Sequence, residues 1–397
     1  MKNILEPHRK ESRCIYCGDA YVPHTLYYVM SLLSVTFDSH VIKTTRHAPR
    51  FAYLFVDWLL LAFFEIALFL KICKLSDDID LAKTFRSRVM WEEARRRGIE
   101  VKQVIMFGKP IDQYRMRQKG KLIYFDSLPI PSELLRLQHN WDDKYLLKQE
   151  LSKNNIPVPE YFTFPAFLPN DLNKIFSKFK KPIIVKPRVG SRGRHTVTNI
   201  HTFPEFQDAI GVAKKLCAYL SVEEHLVGDV CRATFVNGKL MGFYKGGVPY
   251  VIGDGVKTIQ QLIVEKDINR NERVEKIIVN QEMRDFVLRL GFKMQDVLPT
   301  GRRIALSYRT GRLYGGVTRE MLDELHPSFV PILTKAAKIV GLPVIGFDCI
   351  VPEPTLDEST QRWGIIECNT LPFIDLHYYA LEGKPKNIAG AIWDFWN

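Results

Sequence analysis

The chain has 397 residues, of which 46% are hydrophobic and 25% are charged, and its formal net charge is +12. This composition excludes a disordered or fibrous chain, and the length predicts two or three domains. The positive charge favours an anionic partner, such as a nucleotide, a polyacid, RNA or an acidic lipid surface, without choosing among them. Seven scattered cysteines with no secretory leader before them favour a reducing cytoplasm.

The first 140 residues differ from the rest of the chain. The apolar run at residues 51–73 is long enough to cross a bilayer, but Asp57 and Glu65 interrupt it, and an acid at the bilayer centre is costly. A buried or membrane-surface helix is therefore favoured, and a membrane-spanning helix is the alternative. A helix over residues 84–98 and two short strands after it predict a small α/β unit that ends near residue 140.

The remaining residues predict an α+β core with a mostly antiparallel sheet. A helix begins at Asp142 or Asp143 and stops before Pro157. Two further helices are predicted at residues 206–220 and 326–340. Strands and hairpins are predicted at residues 183–187, 222–226, 232–246, 302–316, 344–351 and 363–370.

A loop with the sequence RVGSRGRH follows the strand that carries Lys186. Its two glycines allow backbone N–H groups to approach an anion closely, and the cations beside them would offset phosphate charge. The loop matches neither GxxxxGK[ST] nor GxGxxG. By itself it is more typical of a solvated hairpin, and His195 at its end could contact phosphate or have no role.

Three oxygen-bearing side chains lie in the two C-terminal strands. Glu367 and Asn369 are two residues apart, so they share one face of their strand, and Asp348 lies in the preceding strand. Two carboxylates and an amide oxygen suit Mg²⁺, which takes its other ligands from substrate and water. The alternative interpretation is that the two acids form salt bridges with Arg302 or Arg303.

Six ordered segments at this point resemble a known family. They are WDDKYLLKQELSKNNIPVP, PIIVKPRVGSRGRHTVTNI, VEEHLVG, VIGDGVKTIQQLI, LHPSFVPILTKAAKIVGLPVIGFDCIV and GIIECNTLPF. In order and spacing they are similar to the ATP-grasp enzymes, most of all to the ligase module of cyanophycin synthetases and to glutathione-synthetase-type domains. The resemblance covers the chain from about Asp142 to His377.

The resemblance implies an α+β, ATP-grasp fold for residues 141–397. Two α+β lobes that meet near residues 215–225 would clasp ATP, and a smaller, divergent α/β domain at residues 1–140 would precede them. The implied activity is that of an ATP-dependent carboxylate–amine ligase, which is ADP-forming and acts through an acyl phosphate. It would use ATP with Mg²⁺ or Mn²⁺ on small-molecule or peptide substrates, in the cytoplasm and as a homo-oligomer.

The resemblance also implies a role for each matching residue. Two lysines would hold nucleotide phosphates, namely Lys144 and Lys186, and Lys186 would also lie near the adenine. The lid loop over the phosphates would comprise Gly190, Ser191, Arg192, Gly193 and Arg194. The hinge that reads the adenine edge would comprise Glu223, Glu224, His225 and Leu226. The metal ligands would be Asp348, Glu367 and Asn369.

The sequence departs from the family pattern near the substrate. Val230 stands where the family has an acid for the ribose hydroxyls, and Asp229 is the possible substitute. The segment SYRTGRLYGG loses the two asparagines of the family's strand, so Arg309 or Arg312 would stabilise the tetrahedral intermediate. These changes predict a non-standard substrate. They also leave open an ATP-binding regulatory or scaffold protein with reduced catalysis. The apolar run at residues 51–73 leaves open membrane association, with the ligase core attached to it.

Other features have plainer interpretations. Cys14 and Cys17 form a CxxC pair, but a structural zinc site needs four ligands and the sequence has no second CxxC pair, so ordinary thiols are favoured. For a zinc site, Cys73, His8 or His24 would have to supply further ligands. The aromatic C-terminus predicts a packed tail. The basic run at residues 95–97 predicts a solvated helix face, with no specific nucleic acid as partner. The cyanophycin synthetases continue into a Mur-ligase-like module that this sequence lacks, which predicts a single bond-forming activity.

Overall fold

A computed structural model describes residues 14, 16–17, 22–45, 50–118, 120–134, 141–168, 171–190 and 193–397. The chain forms two compact units. The first comprises Met1–Ala48, Leu137–Val227 and Trp363–Cys368, and the second comprises Pro49–Arg136, Gly228–Arg362 and Asn369–Asn397. The sequence-based domain boundaries near residue 140 and residues 215–225 stay predictions.

The described residues form both helices and strands. The α-helices are α1 (His24–Thr45), α2 (Arg50–Phe69), α3 (Phe85–Arg96), α4 (Lys144–Lys153), α5 (Leu172–Ser177), α6 (Phe203–Ala213), α7 (Ile259–Ile268), α8 (Gln281–Arg289), α9 (Phe329–Val340), α10 (Asp375–Tyr378) and α11 (Ile388–Trp393). The strands are β1 (Cys73–Ser76), β2 (Glu100–Met106), β3 (Lys109–Gln118), β4 (Lys121–Asp126), β5 (Tyr161–Pro165), β6 (Ile183–Pro187), β7 (Val197–Ile200), β8 (Tyr219–Glu224), β9 (Asp229–Val236), β10 (Lys239–Gly246), β11 (Tyr250–Ile252), β12 (Arg303–Ala305), β13 (Thr318–Glu320), β14 (Val344–Val351) and β15 (Gly364–Asn369).

The first unit contains an antiparallel sheet with the strand order β5, β8, β6, β7. Helix α6 packs on it and buries Phe206 and Ala209 against Val185 and Val222. A capping box of Thr202 and Glu205 starts this helix, three residues earlier than the sequence predicts. The helix also ends earlier than predicted, because the chain from Tyr219 onward joins the sheet as β8.

The second unit contains neighbouring strands in the order β13, β10, β9, β14, all antiparallel. Asn237 and Gly238 join β9 to β10 with φ angles of 50° and 73°. Both angles are positive, as a type I′ hairpin turn requires, and the predicted hairpin is confirmed. Helix α9 begins at Phe329, three residues after the predicted start, and ends at the left-handed Gly341.

The strands β1 to β4 form an antiparallel meander, also in the second unit, and helix α2 packs on it. Both acids of the apolar run accept hydrogen bonds within this unit. Glu65 accepts a hydrogen bond from Tyr124 Oη at 2.8 Å, and Asp57 accepts one from Ser132. The helix buries Phe64 and exposes a row of large side chains that includes Trp58. Among the helices within the described ranges, none combines the length and apolar content that crossing a membrane requires.

One predicted strand is wrong. Of residues 302–316, only Arg303–Ala305 is a strand, paired with β11, whereas Arg312–Tyr314 is a single 3-10 turn. Gly311 and Gly315 adopt φ angles of 86° and 83°. A Cβ at Gly316 would lie 2.0 Å from the Gly247 carbonyl oxygen. The segment therefore turns, and its backbone packs against the backbone at Gly247. Its glycines permit this close contact, which is incompatible with an extended strand.

The aromatic C-terminus is a packed tail, as predicted. Trp393 is buried, and its indole N–H donates to the Met90 carbonyl oxygen at 2.9 Å. Phe395 and Trp396 pack against the same core of the second unit.

Candidate active site

Helix α4 carries Lys144 at its first position and starts at Asp143. The Asp143 carboxylate accepts hydrogen bonds from the backbone N–H groups of Tyr145 at 2.9 Å and Leu146 at 3.3 Å, as an N-cap does. The same carboxylate pairs with the Arg188 guanidinium, with Nε 2.9 Å from Oδ2 and a terminal nitrogen 2.8 Å from it. One buried acid therefore connects the start of α4 to the residue that follows β6.

We expect this double role to be separable by mutation. Asp143→Asn keeps an oxygen for the N-cap and loses the charge that faces Arg188, so it should lower the free energy of unfolding by about 1–2 kcal/mol. Asp143→Ala also removes the cap and should cost about 1 kcal/mol more. Urea unfolding measures both values.

Asp171→Ala is the matched control for this pair of variants. Asp171 is exposed and caps α5 through the Lys174 N–H at 3.0 Å. Its loss should cost about 1 kcal/mol or less. An Asp143→Asn variant as stable as the wild type would show that the contact with Arg188 contributes nothing.

Lys144 contacts the predicted lid loop. Its Nζ lies 2.5 Å from the Gly190 carbonyl oxygen and 3.5 Å from Glu367 Oε2. Gly190 and Gly193 have φ angles of 133° and 61°, where glycine is favoured. Two of the predicted lid residues, Ser191 and Arg192, lie outside the described residues.

A buried acid between two lysines lies next to this loop in the first unit. Glu223 Oε2 is 2.8 Å from Lys186 Nζ, and Oε1 is 3.0 Å from Lys148 Nζ. Lys148 also donates to the Ile366 carbonyl oxygen at 2.9 Å, and Ser221 Oγ donates to Glu223 at 2.9 Å. Each group of the cluster therefore has hydrogen-bonding partners, as a buried charge requires.

The electrostatics of this cluster follow from its burial. Desolvation lowers the pKa of the Lys148 ammonium to about 7, against the attraction of Glu223. Desolvation alone would raise the pKa of Glu223, but the ammonium groups of Lys148 and Lys186 outweigh it and lower that pKa to about 2. Glu223 is therefore ionised at neutral pH and keeps Lys186 beside the loop.

The predicted hinge follows β8. Glu224 bonds to Glu160 twice, since its backbone N–H donates to the Glu160 carbonyl oxygen at 2.9 Å and its carboxylate accepts from the Glu160 N–H at 3.1 Å. The His225 N–H donates to the Pro182 carbonyl oxygen at 3.2 Å, and Leu226 is buried. The segment is held in place by backbone contacts, and its contact with adenine stays a prediction.

The second unit holds Asp348 and Asn369 together. The Asn369 amide nitrogen donates to Asp348 Oδ2 at 3.2 Å. Arg232, opposite Asp348 in the β9–β14 register, contacts both carboxylate oxygens, with Nε 2.5 Å from Oδ1 and a terminal nitrogen 2.8 Å from Oδ2. The alternative interpretation, in which Arg302 or Arg303 neutralises the acids, is wrong for Asp348. Arg303 instead lies over the Tyr250 ring, 3.7 Å from its centroid.

The donor atoms suit a hard cation. Carboxylate and amide oxygens are the ligands that Mg²⁺ prefers, and a carboxylate has about four lone-pair positions, so Asp348 can accept from Arg232 and still bind a metal. Glu367 lies two residues before Asn369 in β15, with its carboxylate toward Lys144. The roles of the three residues as metal ligands stay predictions.

The residues predicted near the ribose and near the substrate are engaged in ion pairs within the second unit. Asp229 contacts Lys245, with 2.9 Å between Oδ2 and Nζ. Arg309 Nε lies 3.2 Å from Glu282 Oε1, and Arg312 pairs with the buried Asp375. Both arginines are partly buried, and their role in stabilising an oxyanion stays a prediction.

Sequence reasoning missed Lys148, Asp143 and Arg232. A signal existed for Lys148, which lies one helical turn after Lys144 and so on the same face of α4. For Asp143, the sequence predicts only that a helix begins there or at the residue before it. Nothing in the local sequence indicates that Arg232 lies opposite Asp348, because the pairing of β9 with β14 joins residues that are 116 positions apart.

The chain has an ATP-grasp fold. It superposes on the crystal structure of a bifunctional glutathione synthetase from Pasteurella multocida with a TM-score of 0.53 and 18% identity, over 78% of this chain and 44% of that one. The predicted α+β fold with antiparallel sheets is thereby confirmed.

The sequence relatives agree with the predicted resemblance. A cyanophycin synthetase of Trichormus variabilis is 29% identical over 258 residues, which are 64% of this chain and 28% of that protein. The glutathione biosynthesis bifunctional protein GshAB of Listeria welshimeri is 25% identical over 337 residues, which are 81% of this chain and 41% of that protein. No family model matches. The chain thus resembles ATP-grasp ligases and spans less than half of each of these relatives.

Proposed function

We propose that this protein is an ATP-dependent carboxylate–amine ligase that forms an amide bond through an acyl phosphate, with release of ADP. The contact that carries the proposal is between Lys144 Nζ and the Gly190 carbonyl oxygen, at 2.5 Å. It places a cation from α4 directly on a glycine loop that follows the strand bearing Lys186. This arrangement suits a loop that covers phosphates, because backbone N–H groups and fixed cations stabilise phosphate charge.

The predicted residues have separate tasks in this proposal. Lys144 and Lys186 offset the charge of the transferred phosphoryl group, and Glu223 fixes the position of Lys186. Asp348, Glu367 and Asn369 would hold Mg²⁺, which supplies charge neutralisation at the phosphates. Arg309 or Arg312 stabilises the oxyanion formed when an amine attacks the acyl phosphate. The lid excludes water, which would otherwise hydrolyse that intermediate.

The substrates are proposed by class only. The relatives are named for cyanophycin and glutathione synthesis. We therefore propose an amino acid or peptide as carboxylate and an amine as acceptor. The departures at Val230 and residues 307–316 are consistent with an acceptor other than the family's standard one.

The proposal is tested with purified protein, Mg-ATP and a panel of amino acids, acidic peptides and small diacids. ADP and phosphate should be released only with a substrate. A carboxylate labelled with ¹⁸O should transfer one label to the phosphate, because phosphoryl transfer to the carboxylate and amine attack leave that oxygen on phosphorus. Release of AMP and pyrophosphate would contradict the mechanism.

A second function is favoured by one observation. Arg232 donates a hydrogen bond to each oxygen of Asp348, and these bonds compete with a metal ion for the carboxylate. Such a contact suits a protein that binds nucleotide without a strong metal site. We propose as the alternative an ATP-binding regulatory or scaffold protein. Nucleotide binding that needs no Mg²⁺, without turnover of any acceptor, would favour it over the ligase.

A further inference from the structure

Four metal-binding side chains meet in the first unit, apart from the residues proposed for ATP. They are two cysteines and two histidines, namely Cys14, Cys17, His24 and His195. One ligand atom from each, Sγ or a ring nitrogen, lies within 4.8 Å of all the others. Cys17 and His195 are buried, and Cys14 and His24 are partly buried. The sequence indicates only the CxxC pair, since His195 is 178 positions beyond Cys17.

The spacing of these atoms is close to that of a tetrahedral zinc site. With Zn–S of about 2.3 Å and Zn–N of about 2.0–2.1 Å, a tetrahedron separates two nitrogens by roughly 3.3 Å and a sulfur from a nitrogen by roughly 3.6 Å. The two Nε2 atoms are 3.3 Å apart, and His195 Nε2 is 3.4 Å from Cys14 Sγ and 3.3 Å from Cys17 Sγ. Cys17 Sγ and His24 Nε2 are 2.9 Å apart, and this distance would have to increase by roughly 0.7 Å around the ion.

The orientation of His195 is that of a metal ligand. Its Nδ1 lies 2.7 Å from the Val212 carbonyl oxygen, which can only accept a hydrogen bond, so Nδ1 carries the proton. The other ring nitrogen, Nε2, therefore presents its lone pair to the two sulfurs and to His24. A metal-bound histidine is held in the same way in proteins, with its second nitrogen donating to a carbonyl or carboxylate.

The backbone around the cluster is also organised. The Cys17 N–H donates to the Cys14 carbonyl oxygen at 3.1 Å, which closes the CxxC turn. The His195 N–H donates to the Tyr16 carbonyl oxygen at 3.1 Å, so this turn is joined to the chain directly after Arg194. Val22 and Leu216 pack against Cys17 and exclude solvent on one side.

We propose that these four residues bind one Zn²⁺ as a closed structural site. Two thiolates and two imidazoles in a tetrahedron select zinc over hard cations such as Mg²⁺, which prefer oxygen. Because all four positions are filled by protein, the ion activates no water. Its role is to fasten the N-terminal segment to the base of the predicted lid loop. This proposal does not depend on the ligase activity.

The interpretation without metal is a hydrogen-bonded cluster, in which thiols and the His24 ring donate to His195. Cys73, which the sequence offered as a possible fourth ligand, is excluded because it packs beside Phe64 in the second unit. His8 lies outside the described residues. The predicted partner His24 is in the cluster, and His195 takes the position that the sequence left open.

The test is the metal content of the full-length protein, purified under reducing conditions with zinc in the growth medium. We expect about one zinc per chain by elemental analysis. Cys14→Ala/Cys17→Ala should contain almost none. Cys217→Ala, which removes a buried thiol of the same unit outside the cluster, should keep the wild-type amount.

Cobalt provides a readout that needs no variant. Exchange of Co²⁺ into the wild-type protein should give the intense visible bands of tetrahedral cobalt and a thiolate charge-transfer band, both removed by added zinc. This measurement tests the zinc proposal even if the double variant fails to fold. A reduced wild-type protein that holds no zinc and gives no tetrahedral cobalt spectrum would overturn the proposal.

Discussion

Glu223→Gln is expected to lower the free energy of unfolding by about 3–5 kcal/mol at neutral pH. Glu223 is the acid that faces the buried Lys148 and Lys186 at 3.0 and 2.8 Å. The amide keeps the shape and loses the charge, so the two buried lysines lose their counter-ion. Lys148, whose pKa is already lowered to about 7 beside Glu223, must then stay charged without compensation or release its proton. Urea unfolding measures the loss, and the partly exposed Glu150→Gln should change it by less than about 0.5 kcal/mol.

A double variant identifies the cause of that loss. Lys148→Met in the Glu223→Gln background removes a buried amine that has lost its partner and should recover part of the lost stability. If the double variant were less stable than Glu223→Gln by the full cost of Lys148→Met alone, the two residues would be acting independently. That result would contradict the electrostatic account.

The same cluster predicts the pH dependence of stability. The pKa of Glu223 falls from 4.5 to about 2 on folding, so its stabilising contribution is complete above about pH 4.5 and is lost as the pH falls toward 2. The pKa of Lys148 falls from 10.5 to about 7, so the unfolded chain binds more protons between pH 7 and 10.5. Stability should therefore rise with pH in that upper range as well.

Lys148→Met tests this dependence. The variant should lose the rise above pH 7 and keep the decline at acid pH, because Glu223 would still face Lys186. Thermal unfolding between pH 2 and pH 10, for the wild type and the variant, covers both the acid decline and the rise above pH 7. An unchanged rise in Lys148→Met would assign it to other groups.

Glu367→Gln should reduce the ATP-dependent ligase activity by about 100-fold or more and leave the fold intact. An amide oxygen carries no charge and is a weaker Mg²⁺ ligand than a carboxylate, and the phosphate charge in the transition state would be less well neutralised. The variant should also require more Mg²⁺ for half-maximal rate. Glu150→Gln is again the control, and activity near wild type at low Mg²⁺ would refute the metal assignment.

The Glu367 experiment can be read even if no acceptor is found. In calorimetry, added Mg²⁺ should strengthen ATP binding less in Glu367→Gln than in the wild type. The zinc content of Glu367→Gln should equal that of the wild type, since the proposed magnesium ligands are separate from the proposed zinc ligands. Failure of the zinc proposal and failure of the ligase proposal are thus distinguishable.

Features that depend on neighbouring residues could be predicted from the sequence. Asp143 starts α4, and Asn237-Gly238 forms a hairpin turn, because a cap and a turn need only a few adjacent residues. Gly190 and Gly193 mark a loop with positive φ angles for the same reason. The segment at residues 302–316 was predicted wrongly, since its glycines permit a turn as readily as a strand and contact with Gly247 decided between them.

By itself the sequence determined the order of the ATP-grasp segments, the alternation that places Glu367 and Asn369 on one face, and the CxxC pair. Only the tertiary structure decided which charges and ligands meet. Glu223 reaches Lys148 across 75 positions, and His195 reaches Cys17 across 178. The physical reason is that a helical or strand pattern specifies which face a residue occupies, whereas its partner across the core depends on how distant segments pack.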